Sequence, residues 1–393
     1  MTIKKTKNFI IFTVLYAAYV SIYIARLNLS MATPELKALE IMDESQIGLL
    51  GSVFSVVFAS GRLINGAFSD KVKPFIMITS GLCLAGLGNL FISFFPPFEL
   101  ILVLWGINAF AQSMLWSAVL RTVSETYEPG EAKKKTSYMV TAVASGNIIG
   151  ILLSSALIKG IDVSAAFYIP AAITFLLALL VFIFISPIQC SNARTKTHIP
   201  LYRLFSEKDI RCLLLPVMFH GVMKDNISLW MTLYFVDTYG IDLAKSALFV
   251  IFIPLLGLAG RLLFPLCYKI SKENEHTVSF IAYLGCIVFA VILFFASSPI
   301  LSVICLGMIY MAVSLFNTSV LSVFPLRYSE SGNVASVSGL MDFSTYLGSG
   351  IGSAVYGVSI KSLGYSFMFG SWILISLISL LILFFGFIKK QKA

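Results

Sequence analysis

Long apolar runs dominate this chain and limit what it can fold into. A bilayer core about 30 Å thick is crossed by a helix of about 20 apolar residues. The sequence contains twelve runs of about this length, separated by turn signals such as Pro96-Pro97 and Pro129-Gly130. We therefore predict twelve transmembrane helices at about 9–32, 47–69, 74–94, 99–122, 136–158, 166–187, 212–236, 245–267, 277–297, 299–323, 333–358 and 365–388.

The composition supports an all-α membrane protein. Hydrophobic residues make up 58% of the chain and charged residues 12%, whereas a soluble domain carries about 25% charged residues. So little polar surface excludes nucleic-acid-binding proteins, secreted disulfide scaffolds and disordered chains. The runs are too long, and alternate too little, for barrel strands. The six cysteines include no CxxC pair, so we predict neither a metal site nor a disulfide framework.

The basic residues predict the orientation of the chain, because cytoplasmic loops retain Lys and Arg. With the N-terminus inside, 19 of the 28 Lys and Arg lie on the cytoplasmic side and four on the other. We therefore predict a multi-pass inner-membrane protein with both termini in the cytoplasm. The remaining five basic residues lie within or at the ends of spans: Arg26, Arg62, Arg121, Lys224 and Arg261.

A faint internal repeat divides the chain into halves. The longest polar stretch, Ser191 to Arg211, leaves six spans on each side. Gly61-Arg62-Leu63 recurs as Gly260-Arg261-Leu262, and Arg26 has a counterpart in Lys224 at nearly the same offset. Parallel halves of this kind are typical of transporters. We predict an N-terminal six-helix bundle at 1–190, a cytoplasmic linker at 191–210 and a C-terminal bundle at 211–393.

The paired cations Arg26 and Lys224 predict an anion site. Each charge costs about 2.5–3.5 kcal/mol near a bilayer centre unless it faces a cavity or a partner. Helical spacing places Tyr16, Tyr19 and Tyr23 on one stripe with Arg26. A guanidinium and an ammonium facing one cavity suit the oxygens of phosphate or carboxylate. The alternative left open is structural, with Arg26 paired to an acid of the second half, Asp225 or Asp342.

Further motifs predict packing and a conformational latch. Gly66, Asp70 and Lys71 place a helix-end carboxylate beside basic residues after the second span, and we predict that they form the latch. Small-residue stripes predict close helix packing; they comprise Gly146, Gly150, Gly348, Gly350 and Gly352. A third stripe in the fourth span either lines the cavity or packs in the core; its members are Asn108, Gln112 and Trp116.

Several motifs resemble the organophosphate:phosphate antiporters of the major facilitator superfamily. The first-helix segment from Tyr16 to Pro34 is similar to theirs. The similarity extends across both halves through Arg62 ahead of Gly66, Lys224 six residues before Trp230, and Gly339 before Tyr346-Leu347-Gly348. The resemblance implies the major facilitator fold, phosphate binding by Arg26, and a pore lined by Tyr19 and Tyr23. Lys224 stands where the family has a second arginine. The candidate substrate-binding residues are Arg26, Lys224, Tyr19, Tyr23, Tyr346, Arg62, His220 and Asp342.

The predicted function is transport. The resemblance implies exchange of a sugar phosphate or glycerol phosphate for inorganic phosphate by rocker-switch alternating access. One alternative is a proton-coupled organic-acid symporter, in which Asp225, Asp342 or His220 carries the proton; another is a transporter-like sugar-phosphate sensor. We expect a small anionic substrate, a monomer embedded in the lipid bilayer, and no enzymatic activity, cofactor, metal or nucleic-acid partner.

Overall fold

The protein is helical throughout the residues that the structure, a computed structural model, describes: 2–68, 72–188, 207–328 and 334–391. This confirms the predicted all-α class. The helices are α1 (Thr2–Ala38), α2 (Glu44–Phe68), α3 (Pro74–Ile92), α4 (Phe98–Ser113), α5 (Leu115–Thr126), α6 (Pro129–Gly160), α7 (Ala165–Ile185), α8 (Lys208–Tyr239), α9 (Leu243–Ile270), α10 (Glu275–Phe294), α11 (Pro299–Asn317) and α12 (Val334–Gln391).

Within the described ranges, ten helical segments are long and apolar enough to cross a membrane. Helix α8 is not among them, and its apolar sequence is interrupted by Lys224 and Asp225. The 58-residue α12 counts once, although its backbone leaves helical geometry at Gly364, where φ is 69°. Only glycine adopts this conformation readily. The number of twelve spans and the cytoplasmic location of both termini stay predictions.

The chain forms two compact units. Unit 1 comprises Met1–Asp43 and Val53–Thr195, and unit 2 comprises Glu44–Ser52 and Lys196–Ala393. In unit 1, α1 packs on α6 and α7, and α3 packs on α4 and α7. In unit 2, α8 packs on α12, while α9 and α10 pack on α11. Most of the predicted linker at 191–210 lies outside the described residues, and the predicted bundle limits stay predictions.

Glycines allow close helix packing in both units, as the small-residue stripes predicted. In unit 1 a Cβ added to Gly146 would lie 2.6 Å from the Cβ of Tyr23, so α6 approaches α1 at the predicted pore tyrosine. A Cβ at Gly150 would lie 3.2 Å from the Cα of Ile24. These two contacts confirm the predicted packing role of the Gly146-xxx-Gly150 motif.

In unit 2 the α8–α12 crossing is closer still. A Cβ on Gly221 would overlap the carbonyl oxygen of Thr345, and one on Gly348 would overlap that of Met218. A Cβ on Gly352 would lie 2.8 Å from the side-chain nitrogen of Asn226. The packing role of Gly348 and Gly352 is confirmed, and that of Gly350 stays a prediction.

The chain changes its helix type after α11. Residues Thr318–Val323 form a π-helical turn, and Phe324–Tyr328 then form a 3₁₀ turn. π-Helical turns are rare and are frequently found at functional sites. The apolar run at 299–323 does not indicate this change, because hydrophobic spacing does not show to which carbonyl oxygen each backbone N–H donates.

Candidate functional site

Arg26 lies against two aromatic rings in unit 1. Its guanidinium carbon is 4.5 Å from the ring centre of Phe54 and 5.6 Å from that of Phe58. The two rings are nearly parallel, at an interplanar angle of 13° and a centre distance of 5.8 Å. Each ring face attracts the cation electrostatically, by about 0.5–2 kcal/mol depending on how far the pair is desolvated. These contacts stabilise the arginine without cancelling its charge.

Arg62 shares one of these rings. Its guanidinium carbon is 5.9 Å from the ring centre of Phe58, so two cations from α1 and α2 converge on one phenyl group. Sequence analysis named Arg26 and Arg62 but missed both phenylalanines. Phe54, Phe58 and Arg62 lie at i, i+4 and i+8 of the second span, so helical spacing could have placed the rings on the face of Arg62.

Buried amides fix the backbone of α1 next to Arg26. The side-chain amides of Asn89 and Asn108 each donate to the carbonyl oxygen of Ala25, both at 3.2 Å. Asn28 donates to the side-chain oxygen of Asn89 at 2.6 Å and to the carbonyl oxygen of Ala166 at 2.9 Å. Helices α3, α4 and α7 therefore all bond to α1 at this level. Because a buried amide is costly unless hydrogen-bonded, the network holds α1 in one register.

Two members of the fourth-span stripe, Asn108 and Gln112, pack in the core of unit 1. Gln112 donates to the side-chain oxygen of Asn108 at 3.0 Å, and both side chains are buried. They extend the amide network. Trp116 instead contacts Tyr19, a candidate pore residue, and the centres of the two rings are 4.9 Å apart.

The tyrosine stripe of α1 divides between two neighbours. Tyr19 and Tyr23 meet edge to face, with ring centres 5.6 Å apart. The hydroxyl of Tyr16 forms hydrogen bonds with those of Thr141 (3.1 Å) and Ser145 (2.9 Å) on α6. Tyr16 therefore ties α1 to α6, whereas Tyr19 is buried among the aromatic rings.

Lys224 is the corresponding cation of unit 2. Its ammonium nitrogen lies 3.4 Å from a carboxylate oxygen of the adjacent Asp225 and 4.9 Å from the ring centre of Tyr346. The structure thus brings two predicted site residues, Lys224 and Tyr346, together. Asp342 is half-buried on α12, one helical turn before Tyr346.

His220 is enclosed within unit 2. It is 1% exposed, and its ring centre is 5.2 Å from that of Phe316 on α11. Neither imidazole nitrogen makes a hydrogen bond of normal geometry to any residue that the structure describes.

The predicted latch falls largely outside the described residues. Asp70 and Lys71 are not described, and Gly66 lies in the last turn of α2; the latch stays a prediction. Sequence analysis missed an ion pair in unit 2 that joins two helix ends. Arg327, in the 3₁₀ turn, binds both carboxylate oxygens of Glu275 at the start of α10. The hydroxyl of Tyr268 donates to the same carboxylate at 3.2 Å.

Family comparison identifies the chain. The profile of the Major Facilitator Superfamily matches residues 15–333. The chain belongs to this superfamily. As a superfamily member with ten apolar helical segments in the described ranges, it is a multi-pass inner-membrane protein. No group of three or more His, Cys, Asp or Glu that could hold a metal ion occurs among the described residues.

The chain is similar to curated transport proteins and to a solved transporter structure. This superfamily member is 25% identical over 200 residues to a probable hexose phosphate transport protein of Chlamydia muridarum, covering 51% of this chain and 43% of that relative. It is 22% identical over 187 residues to the glycerol-3-phosphate transporter of Bacillus subtilis, covering 46% and 42%. The matched region is thus less than half the length of these relatives. The crystal structure of nucleoside transporter NupG has the same fold, with a TM-score of 0.76 at 13% identity over 96% of this chain and 98% of that one.

Proposed function

We propose that the protein exchanges phosphate esters, sugar phosphate or glycerol phosphate, for inorganic phosphate. The observation that carries this proposal is the convergence of the Arg26 and Arg62 guanidiniums on the Phe58 ring. A guanidinium is a planar fork of donors that matches two oxygens of a phosphate group. The sugar-phosphate and glycerol-phosphate transporters among the relatives support the same substrate class.

Lys224 is proposed as the second anion-binding cation, with Tyr346 beside it. Its ammonium has Asp225 as a neighbour, so a phosphate must compete with that carboxylate. Tyr19, Tyr23, His220 and Asp342 are proposed as further contributors to substrate binding or selectivity.

The proposed mechanism is alternating access by rocking of the two predicted six-helix bundles. A bound anion neutralises the cationic residues and thereby lowers the barrier to reorientation. The empty carrier keeps these charges within the membrane, where they are costly, so it reorients slowly. Ligand shifts such an equilibrium only through different affinity for the two states. This difference makes exchange fast and leak slow.

The proposal includes twelve spans and a monomer with both termini in the cytoplasm. Helix α8 adds one segment to the ten, and the break at Gly364 divides α12 into two. Single cysteines placed in successive loops and labelled with an impermeant maleimide test the arrangement. Labelling must alternate between the two sides of the membrane from one loop to the next.

A second candidate function rests on the ion pair of Lys224 and Asp225. A carboxylate 3.4 Å from a half-buried ammonium can change its protonation when a substrate anion takes over the lysine. The candidate is a proton-coupled symporter for an organic acid, with Asp225 as the proton carrier. It requires uptake driven by a pH gradient into vesicles that hold no exchangeable anion.

The deciding experiment is uptake of labelled phosphate into proteoliposomes. We expect rapid uptake into vesicles loaded with unlabelled phosphate and little into empty vesicles. External hexose phosphate and glycerol phosphate should compete with the label, and their relative potency identifies the preferred ester. Equal uptake into loaded and empty vesicles contradicts exchange. No phosphate uptake in either case, together with carboxylate uptake driven by a pH gradient, favours the symporter.

A further inference from the structure

A cavity of about 270 Å³ lies at the start of α10, within unit 2 and away from Lys224. Its walls are His276, Thr277, Phe280, Leu383 and Phe384. The rings of Phe280 and Phe384 face each other across the α10–α12 contact, with centres 6.5 Å apart. Water molecules need polar partners. Three of the five lining side chains are hydrocarbon, so an apolar occupant fits this cavity better than water does.

The cavity adjoins surface that faces the bilayer. On α10, the exposed side chains of Ile281 and Leu284 continue from the cavity at helical spacing. On α12, Leu377, Leu381 and Phe385 form a second exposed apolar stripe, which ends next to the cavity wall. In a membrane protein these stripes contact acyl chains. An acyl chain is therefore the apolar group that can reach the cavity.

Polar and basic groups surround the same end of α10. His276 and Thr277 belong to the first turn of the helix, and the exposed Lys269 and Lys272 precede it. Lys272 adopts a left-handed backbone conformation, with φ 53°, in the turn between α9 and α10. The exposed acid in this turn is Glu273.

The sign and position of these charges favour an anionic ligand in the cytoplasmic leaflet. Glu275, also in the first turn of α10, is 3% exposed and engaged by Arg327. The distribution of Lys and Arg predicts that this end of α10 is cytoplasmic, and Lys389 and Lys390 follow in the last helix. Basic pockets between helices on this side of a membrane bind anionic lipid headgroups.

We propose that this cavity binds one anionic phospholipid. The acyl chain packs against Phe280, Leu383 and Phe384, and the phosphate lies beside His276 and Thr277. The site also adjoins Glu275, which forms the ion pair with Arg327. A lipid bound here therefore contacts the first turn of α10, to which this ion pair attaches the 3₁₀ turn Phe324–Tyr328.

The test is native mass spectrometry of the full chain with phosphatidylglycerol and phosphatidylcholine. We expect the wild-type protein to retain phosphatidylglycerol in preference to phosphatidylcholine. Thr277→Trp fills the cavity, whereas Ile292→Trp places the same side chain on the exposed surface near the other end of α10. Retained phosphatidylglycerol should fall several-fold in T277W and match the wild type in I292W. Equal retention by the two variants, or no lipid preference in the wild type, overturns the proposal.

A second variant keeps the test decisive if T277W does not fold. Lys269→Gln with Lys272→Gln changes two exposed side chains, so folding is retained. We expect the preference for phosphatidylglycerol over phosphatidylcholine to fall several-fold. The control is Lys245→Gln, which removes an exposed lysine from the opposite end of α9 and should leave the preference unchanged. An unchanged preference in the double variant contradicts the proposal. Because binding is measured without transport, failure here leaves the proposed exchange function intact.

Discussion

The two cations related by the internal repeat are held by different chemistry. In unit 1 the Arg26 guanidinium lies on aromatic faces, at 4.5 Å from the ring centre of Phe54. In unit 2 the Lys224 ammonium lies 3.4 Å from a carboxylate oxygen of Asp225 and over the ring of Tyr346. An aromatic face stabilises a cation through the ring quadrupole, whereas a carboxylate stabilises it by ion pairing. We infer that the guanidinium fork of Arg26 makes the stronger contact with a phosphate and that Lys224 engages the anion only as its ion pair with Asp225 loosens.

The residue types fit this division. Arginine stays charged in every protein environment and offers a rigid fork to two oxygens. Lysine is a compact point charge on a flexible stem, so it can move between a carboxylate neighbour and a bound phosphate. The following variants test whether the two centres are unequal in this way.

The largest effect is expected from Arg26→Ala. Losing a charge-assisted, two-pronged contact of about 3 kcal/mol corresponds to about a 100-fold slower phosphate exchange. Arg26→Lys keeps the charge but loses the fork and should be intermediate. The measurement is the initial rate of phosphate counterflow, with Arg211→Ala, an exposed arginine at the start of α8, as the control. Wild-type exchange by R26A would remove Arg26 from the anion site.

A smaller loss is expected from Lys224→Gln. A single ammonium contact is worth about 1.5 kcal/mol, which corresponds to about a tenfold weaker phosphate affinity. Lys224→Arg, which restores the residue type expected from the antiporter resemblance, should bind phosphate at least as well as the wild type. The matched control is Lys245→Gln, which removes an exposed ion-paired lysine. A K224Q defect as large as that of R26A would show that the two centres are equivalent.

Asp225→Asn should act in the opposite direction. Removing the carboxylate frees Lys224 for the substrate, so we expect about a threefold tighter phosphate affinity, a change of about 0.6 kcal/mol. Asp242→Asn removes an acid from a comparable but exposed pair with Lys245 and should have no effect. The symporter alternative predicts instead that D225N loses transport driven by a pH gradient. The same vesicles therefore separate the two candidate functions.

The smallest effect is expected from Phe58→Leu. Phe58 makes two long cation–π contacts, with Arg26 at 5.6 Å and with Arg62 at 5.9 Å. Because both lie near the limit of this interaction at about 6 Å, they are together worth about 0.5–1 kcal/mol, so phosphate affinity should weaken about threefold while Phe54 still supports Arg26. The control is Phe12→Leu, because Phe12 also carries a cation, Lys135, at 4.4 Å, but in a separate cluster of unit 1. Equal binding curves for F58L and F12L would show that the shared ring does not position the guanidiniums.

Much of the scaffold could be predicted from the sequence, because burial in a membrane leaves a strong hydrophobic signal. The spacing of Gly146 and Gly150 also predicted a real helix contact. The partners of polar side chains could not be predicted in this way. Asn108 could face either a cavity or the core on spacing alone, and its bond to the carbonyl oxygen of Ala25 joins residues 83 positions apart.

Two omissions have different physical origins. The spacing of Phe54 and Phe58 to Arg62 predicts that the three side chains share one helix face. A phenylalanine in an apolar span, however, does not indicate that a cation lies on its ring face. The π-helical turn at Thr318–Val323 was not readable, because its apolar residues suit an α-helix equally well.

The amide network around Asn28 also bears on how the chain is made. Asn28 is synthesised 61 residues before its partner Asn89. At about 5–20 residues per second, the delay is about 3–12 s. During that interval α1 carries Arg26 and an unsatisfied amide into the membrane, where each is costly. The first helix is therefore poorly suited to release into lipid alone, and we expect it to stay beside the insertion machinery until α3 and α4 arrive.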